Sequence, residues 1–267
     1  MSTPKAPYSI CAVSYLNTVP LIWGMQHGPQ QAEVELSFEI PSACAETVAK
    51  GGAQVGLAPV AEIARQQLEV VPGYGIACHG AVRSILLISQ KPIREIKSLA
   101  ADSSSRTSVE LARVVLREVY GAEPEFFVRP PALDSMLAEC DAALLIGDPA
   151  LRIDPYSLKY DVLDLGAEWY TLTGLPMVFA LWAAARSVAN REHLREVLRG
   201  SYEFGHAHTG AIADSEWQAR GITRSLAHEY LTRYIHYEIG DRECRGLEAF
   251  LELAGLPQVS AALAETR

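Results

Sequence analysis

Strand-like runs give way to helix starts repeatedly along the N-terminal part of this chain, and that alternation restricts it to an α/β fold with a largely parallel sheet. Tyr8 to Ser14 is a β-rich run, after which Asn17-Thr18 and Pro20 supply cap chemistry and a proline in the first helical turn. Val34, Leu36, Phe38 and Ile40 alternate with Glu35, Ser37 and Glu39, the period of a strand with one covered face. Pro41-Ser42 opens the next helix with Ser42 as its N-cap, and Gly51-Gly52 stops it. Val55 to Ala58 leads through Pro59 into a helix from Val60 to about Gln67.

Further strands are expected at Ile76 to Cys78 and at Val82 to Ser89, where Lys91-Pro92 breaks the pattern. The polar stretch Asp102 to Ser108 precedes a helix over Val109 to Tyr120 that Gly121 ends, and the spacing of Thr107 and Glu110 is that of a capping box. Short strands at Phe126 to Val128, Ala142 to Ile146 and Val162 to Leu165, with a helix over Leu133 to Glu139, make a second α/β unit. Val178 to Ala184 is a last strand; Glu192 to Phe204, Thr223 to Tyr237 and Arg242 to Leu253 are helices that need a sheet to cover. The economical arrangement puts residues 1–91 and 177–267 in a first lobe and 92–176 in a second. Two crossovers then form a hinge and leave a ligand cleft.

A length of 267 residues with 49% hydrophobic content is enough for one large or two medium domains and excludes a disordered or collagenous chain. The formal charge of −9 makes nucleic acid an unfavourable partner, although a local arginine and a few backbone N–H groups still suffice for a small anion. The five cysteines are widely separated, with no metal-ligand spacing, and read as buried thiols in a reducing compartment. Met1 to Pro7 is short and polar, and no apolar run approaches membrane-spanning length, so a soluble cytoplasmic protein is expected.

Arg106, flanked by Ser105 and by Thr107 and Ser108, stands beside a helix start whose exposed N–H donors and guanidinium together suit a carboxylate. The same residues also read as an ordinary capped helix with a solvated arginine. Asn17 lies after the first strand, where open α/β sheets bind ligands, yet its position equally suits a helix cap; Ser42 and Ser84 stand at similar edges. Asp148 follows the strand Ala142 to Ile146, where it either points into the cleft or shapes an Asp-Pro turn. No P-loop, dinucleotide fingerprint, nucleophile elbow or metal pattern occurs, so no cofactor and no metal is demanded. No histidine lies between His79 and His193, which leaves the second lobe without the usual base for neutral pH.

The segment Ser14-Tyr15-Leu16-Asn17-Thr18-Val19-Pro20-Leu21 resembles the opening motif of the chorismate dehydratases, which begin the futalosine route to menaquinone. The likeness continues through Gly56 to Glu62, Val82 to Ile85, Ser104 to Ser108, Leu144 to Asp148 and Thr173 to Pro176, and covers most of Tyr8 to Ala184. Alanine stands at Ala81 and Ala101 where the family pattern suggests proline and leucine. The resemblance implies a two-lobed type II periplasmic-binding-protein-like fold and a cofactor-free hydro-lyase. Such an enzyme removes water from chorismate to give 3-[(1-carboxyvinyl)oxy]benzoate. It further implies that Ser105, Arg106 and Thr107 hold a substrate carboxylate and that Ser84 contributes from the opposite lobe. Asn17 would orient the enolpyruvyl carboxylate, which could itself take the ring proton. Ser42, Asp148 and Thr173 complete the implied substrate-binding set.

Two other functions share the fold: a non-catalytic carboxylate-binding protein, and the related dihydroxynaphthoate synthase, which uses a cleft histidine. The polar N-terminus weighs against the first and the histidine-free second lobe against the other.

Overall fold

The structure, a computed structural model, describes residues 7–102, 106–185, 188 and 190–259. The first lobe is begun by β1 (Tyr8–Val13), α1 (Val19–His27), β2 (Val34–Glu39), α2 (Pro41–Ala49), β3 (Val55–Pro59), α3 (Val60–Gln66) and β4 (Glu69–Cys78). The chain then builds the second lobe from β5 (Ile85–Ser89), β6 (Ser98–Asp102), α4 (Thr107–Val115), β7 (Glu125–Arg129), α5 (Leu133–Glu139), β8 (Ala142–Ile146), α6 (Gly147–Leu151), β9 (Asp161–Asp164) and α7 (Leu165–Thr173). It returns through β10 (Met177–Ala184) and ends in α8 (Arg191–Ala207), α9 (Thr209–Arg220), α10 (Arg224–Glu229), β11 (His236–Glu238) and α11 (Asp241–Leu253).

The two sheets share one plan. The order is β2-β1-β3-β10-β4-β11 in the first and β7-β6-β8-β5-β9 in the second. Each begins with three parallel strands, followed by an antiparallel strand that has just arrived through a crossover, β10 in one and β5 in the other. Within each sheet the strand order reverses beside the first parallel strand, between β1 and β3 and between β6 and β8. The crevices outside the carboxyl ends of such strands are where open α/β sheets bind ligands.

The expected first crossover at Pro92 is displaced. β5 pairs with β8 and β9, so the chain leaves the first sheet between Cys78 and Ile85. Leu86 and Ile88 pack with Ala143 and Leu145 in the core of the second lobe. A run buried on both faces fits the middle of either sheet, and no local signal chooses between them. Gly80 and Arg83, with φ of +105° and +65°, shape this crossover. Its backbone is held by Asp164, whose carboxylate accepts from the N–H of Val82 at 3.0 Å and of Arg83 at 2.6 Å. The same carboxylate caps α7 through Gly166 and Ala167. Burial pushes the Asp164 carboxyl up, against these four backbone donors.

The C-terminal helices cover the first lobe, as the sequence suggests, with one close crossing. Gly205 on α8 lies against α1 so tightly that a Cβ there would stand 2.0 Å from the Pro20 carbonyl oxygen. The expected helix over Thr223 to Tyr237 instead divides: α10 runs into a π-helical turn over Tyr230–Tyr234, and β11 then joins the edge of the first sheet beside β4. Cys11, Cys44, Cys78 and Cys140 are buried free thiols, and Cys244 is half-buried. Among the described residues, no helix is long and apolar enough to cross a membrane.

Candidate active site

A cavity with about 600 Å³ of empty space, counted to its open mouth, lies between the lobes. It sits at both switch points: Val13 and Pro59 end β1 and β3, and Ile146 ends β8 with Gly147 directly after it. Tyr15 and Gly147 bring the two lobes into contact at this point. Gly147 has φ +59°, and a Cβ there would stand 2.9 Å from the Tyr15 ring.

Asn17, Ser84, Arg106 and Thr107 all line this cavity, together with Thr18 and Ser108. Ser105 lies outside the described residues. The start of α4 differs from the capping-box expectation: Arg106, not Thr107, is the N-cap, and no side chain caps the helix. The Thr107 hydroxyl instead accepts from the Ala61 N–H at 3.3 Å, serving the first turn of α3 in the other lobe. Nearby, Arg65 of α3 pairs with Glu110 of α4 and with Glu62. The exposed Arg106, with Thr107 and Ser108 of the first turn of α4, thus lines the cavity at a point where the lobes are already bridged.

Sequence reasoning missed Tyr230. Its hydroxyl donates to Ser84 Oγ at 2.7 Å and also interacts with the Asn17 side chain. Burial pushes the Tyr230 hydroxyl well up, so it remains a neutral donor. Ser84 and Tyr230 are only 2% and 1% exposed, so these bonds fix Ser84 and Asn17 from behind, away from water. A backbone hydrogen bond from the Ile235 N–H to the Tyr230 carbonyl five residues earlier, at 3.2 Å, belongs to the π-helical turn that aims the ring. Only the apolar helical spacing of Thr223 to Tyr237 hinted at this residue. Tyr230→Phe keeps the ring and removes the donor; it should lower kcat about 3- to 10-fold with KM nearly unchanged, as steady-state kinetics would show. A loss confined to thermal stability would make the bond structural only.

Thr18 is a second omission. Its side-chain oxygen is buried, and the residue lines the cavity and has no side-chain hydrogen-bond partner among the described residues. The hydroxyl that cap chemistry would employ is therefore free for a ligand, since it makes no capping bond to α1.

Three expected contacts have other places. Asp148 does not line the cavity: it accepts from the Leu16 N–H at 3.0 Å and pairs with Arg220 at 2.6 Å. Arg220 also donates to the Ser14 carbonyl and to Glu216. Asp148 thus ties the second lobe to the loop carrying Asn17, a fastening rather than a direct contact. Thr173 turns back on α7, donating to the Trp169 carbonyl at 2.9 Å and accepting from Leu175 N–H at 3.1 Å, because the helix ends there at Gly174. Ser42 lies inside the first turn of α2, whose N-cap is Ile40, and only its neighbour Pro41 reaches the cavity.

The side chains lining the cavity include no carboxylate, imidazole, amine or thiol among the described residues. They offer hydroxyls, one amide, one guanidinium and an apolar remainder including Ile76, Val82 and Phe179. Such a site can position and desolvate an anion, and stabilise charge on it, but has no group of its own suited to taking a proton near neutral pH.

These features define a two-lobed protein of the type II periplasmic-binding-protein-like fold with a cleft between the lobes. The periplasmic aliphatic sulphonate binding protein of Escherichia coli has this architecture, with a TM-score of 0.65 at 15% identity over 95% of this chain and 89% of that one. A family model described as menaquinone biosynthesis matches residues 8–255, and the chain belongs to that family. It is 28% identical to a chorismate dehydratase of Thermus thermophilus over 94% of this chain and 96% of the relative. It is 24% identical to a chorismate dehydratase of Campylobacter jejuni over 90% and 94% of the two chains.

Proposed function

We propose that the chain is a chorismate dehydratase, a cytoplasmic hydro-lyase of the futalosine route that works without a cofactor. The observation that carries this reading is a cleft whose lining, among the described residues, offers a guanidinium, an amide and hydroxyls but no carboxylate or imidazole, in a chain similar over nearly its whole length to two proteins of that name. Chorismate loses the hydrogen on the ring carbon bearing the enolpyruvyl ether and the hydroxyl on the neighbouring carbon. The products are water and 3-[(1-carboxyvinyl)oxy]benzoate. The balance involves no net oxidation or reduction, so the stoichiometry calls for no redox partner, and aromatisation drives it forward.

Arg106 and the first turn of α4 hold one substrate carboxylate, with Thr107 beside them. Asn17 and Ser84, fixed from behind by Tyr230, orient the enolpyruvyl carboxylate over the ring C–H, and that carboxylate takes the proton. The apolar walls exclude water and strengthen these contacts. Ser84 and Thr18 lie where they can donate to polar atoms of the ligand, including the departing hydroxyl.

The pH profile tests who supplies the base. A substrate carboxylate is ionised above about pH 5, and the raised Tyr230 hydroxyl keeps its proton throughout the working range. The sign follows: raising the pH from about 6 to 8 neither creates a base nor removes a donor, so kcat should stay flat over that interval. A rise in kcat governed by a group titrating near pH 6.5 would bring a histidine into the mechanism and overturn this account.

A further inference from the structure

Outside the cleft, His79, His236 and Glu243 converge at the edge of the first sheet, with their ligand-capable atoms all within 4.8 Å of one another. Three separate segments supply them. His79 immediately follows β4 and begins the crossover, His236 opens β11, which pairs with β4 through Ala77, and Glu243 stands in the first turn of α11. The His79 and His236 rings lie 4.2 Å apart between centroids, and His79 Nε2 is 2.7 Å from Glu243 Oε1. The other carboxylate oxygen, Oε2, accepts from the Gly240 N–H at 3.0 Å, which fixes the carboxylate's orientation. Glu243 is 5% exposed, whereas His79 reaches solvent and provides an entry path.

We propose that these residues form a binding site for a divalent transition metal, with zinc the best match. Two imidazoles and one carboxylate suit Zn²⁺ and its neighbours rather than Mg²⁺ or Ca²⁺, which prefer oxygen donors. Bonds of roughly 2.0–2.2 Å in a tetrahedral site place ligand atoms roughly 3.3–3.6 Å apart. The ion takes the place of the proton shared by His79 and Glu243, and rotation of the exposed His79 closes the remaining gap. The Gly240 N–H is the outer contact that such sites use to orient a ligand. A fourth position stays open to water. The bound ion would fasten the root of the crossover to β11 and α11.

The site contributes nothing to the cleft lining, and its test needs no substrate, so it stands or falls apart from the proposed activity. Protein stripped with a chelator and dialysed is titrated with Zn²⁺ by calorimetry and by thermal melting, and separately with Co²⁺ by visible absorption. One Zn²⁺ should bind per chain and raise Tm, and Co²⁺ should give the intense ligand-field bands of a four-coordinate site. His79→Gln, at the most exposed ligand, and Glu243→Gln, which keeps an acceptor for the Gly240 N–H, should each weaken Zn²⁺ binding at least about tenfold, since even outer-shell losses cost that much. No saturable binding, or equal affinity in the wild type and both variants, would overturn the proposal.

Discussion

Asn17→Ala should lower kcat about 100- to 1,000-fold while leaving the affinity for chorismate within a few-fold of the wild type, the scale on which loss of one preorganised polar contact to a reacting group is felt. Asn17 belongs to the short turn Leu16–Thr18 between β1 and α1, and no side chain caps that turn or the helix after it. Truncation therefore removes a cavity-lining amide beside Tyr230 without removing a helix cap. The asymmetry between turnover and binding follows from the division of labour in the cleft. In the proposed arrangement Arg106 and α4 hold the anion, whereas Asn17 sets the angle at which the enolpyruvyl carboxylate meets the ring hydrogen. Single-turnover kinetics beside calorimetric binding would separate the two effects. Equal loss of binding and turnover would remove Asn17 from the chemical step and make it a holding residue.

Arg106→Ala should show the opposite pattern, a rise of about 10- to 100-fold in KM with kcat changed less, because a charge-assisted contact to a non-reacting carboxylate is made in the ground state and kept in the transition state. The side chain is exposed at the cavity wall, and its removal leaves the ties of the two lobes through Thr107 and Ala61 and through Arg65 and Glu110 in place. Arg106→Lys should recover only part of the loss, since an ammonium cannot reproduce the planar two-point contact. An unchanged KM in Arg106→Ala would place the carboxylate elsewhere and leave the start of α4 a structural element.

What the sequence makes legible is mostly local. β1 with α1, β2 with α2 and β3 with α3 each carry their own period and punctuation, so the opening half of the first lobe can be read from its sequence. β6, over Ser98–Asp102, carries no β-branched residue, and β11 is only 3 residues long, so neither announces itself before its partner strands are known. α9 also goes unread: its moment is weak, and its value lies in Arg220, whose partners Asp148 and Ser14 come from both lobes.

The site divides in the same way. Asn17, Ser84, Arg106 and Thr107 stand at the ends of strands or the starts of helices, which the topology turns toward one cavity. Tyr230 enters from the C-terminal helices, 146 residues from Ser84, and no local pattern links them. Asp148 fails as a ligand contact because its carboxylate is already engaged by Leu16 and Arg220, a pairing that only the folded chain creates. Thr107 likewise gives its hydroxyl to α3 rather than to its own helix.

The most direct test is incubation of the purified protein with chorismate, without added metal or nucleotide, followed by liquid chromatography with mass detection. The account predicts enzyme-dependent loss of chorismate and a product lighter by one water that keeps the enolpyruvyl group on an aromatic ring. Chorismate left unchanged by folded protein that nevertheless binds it would contradict the account and leave a carboxylate-binding protein in its place.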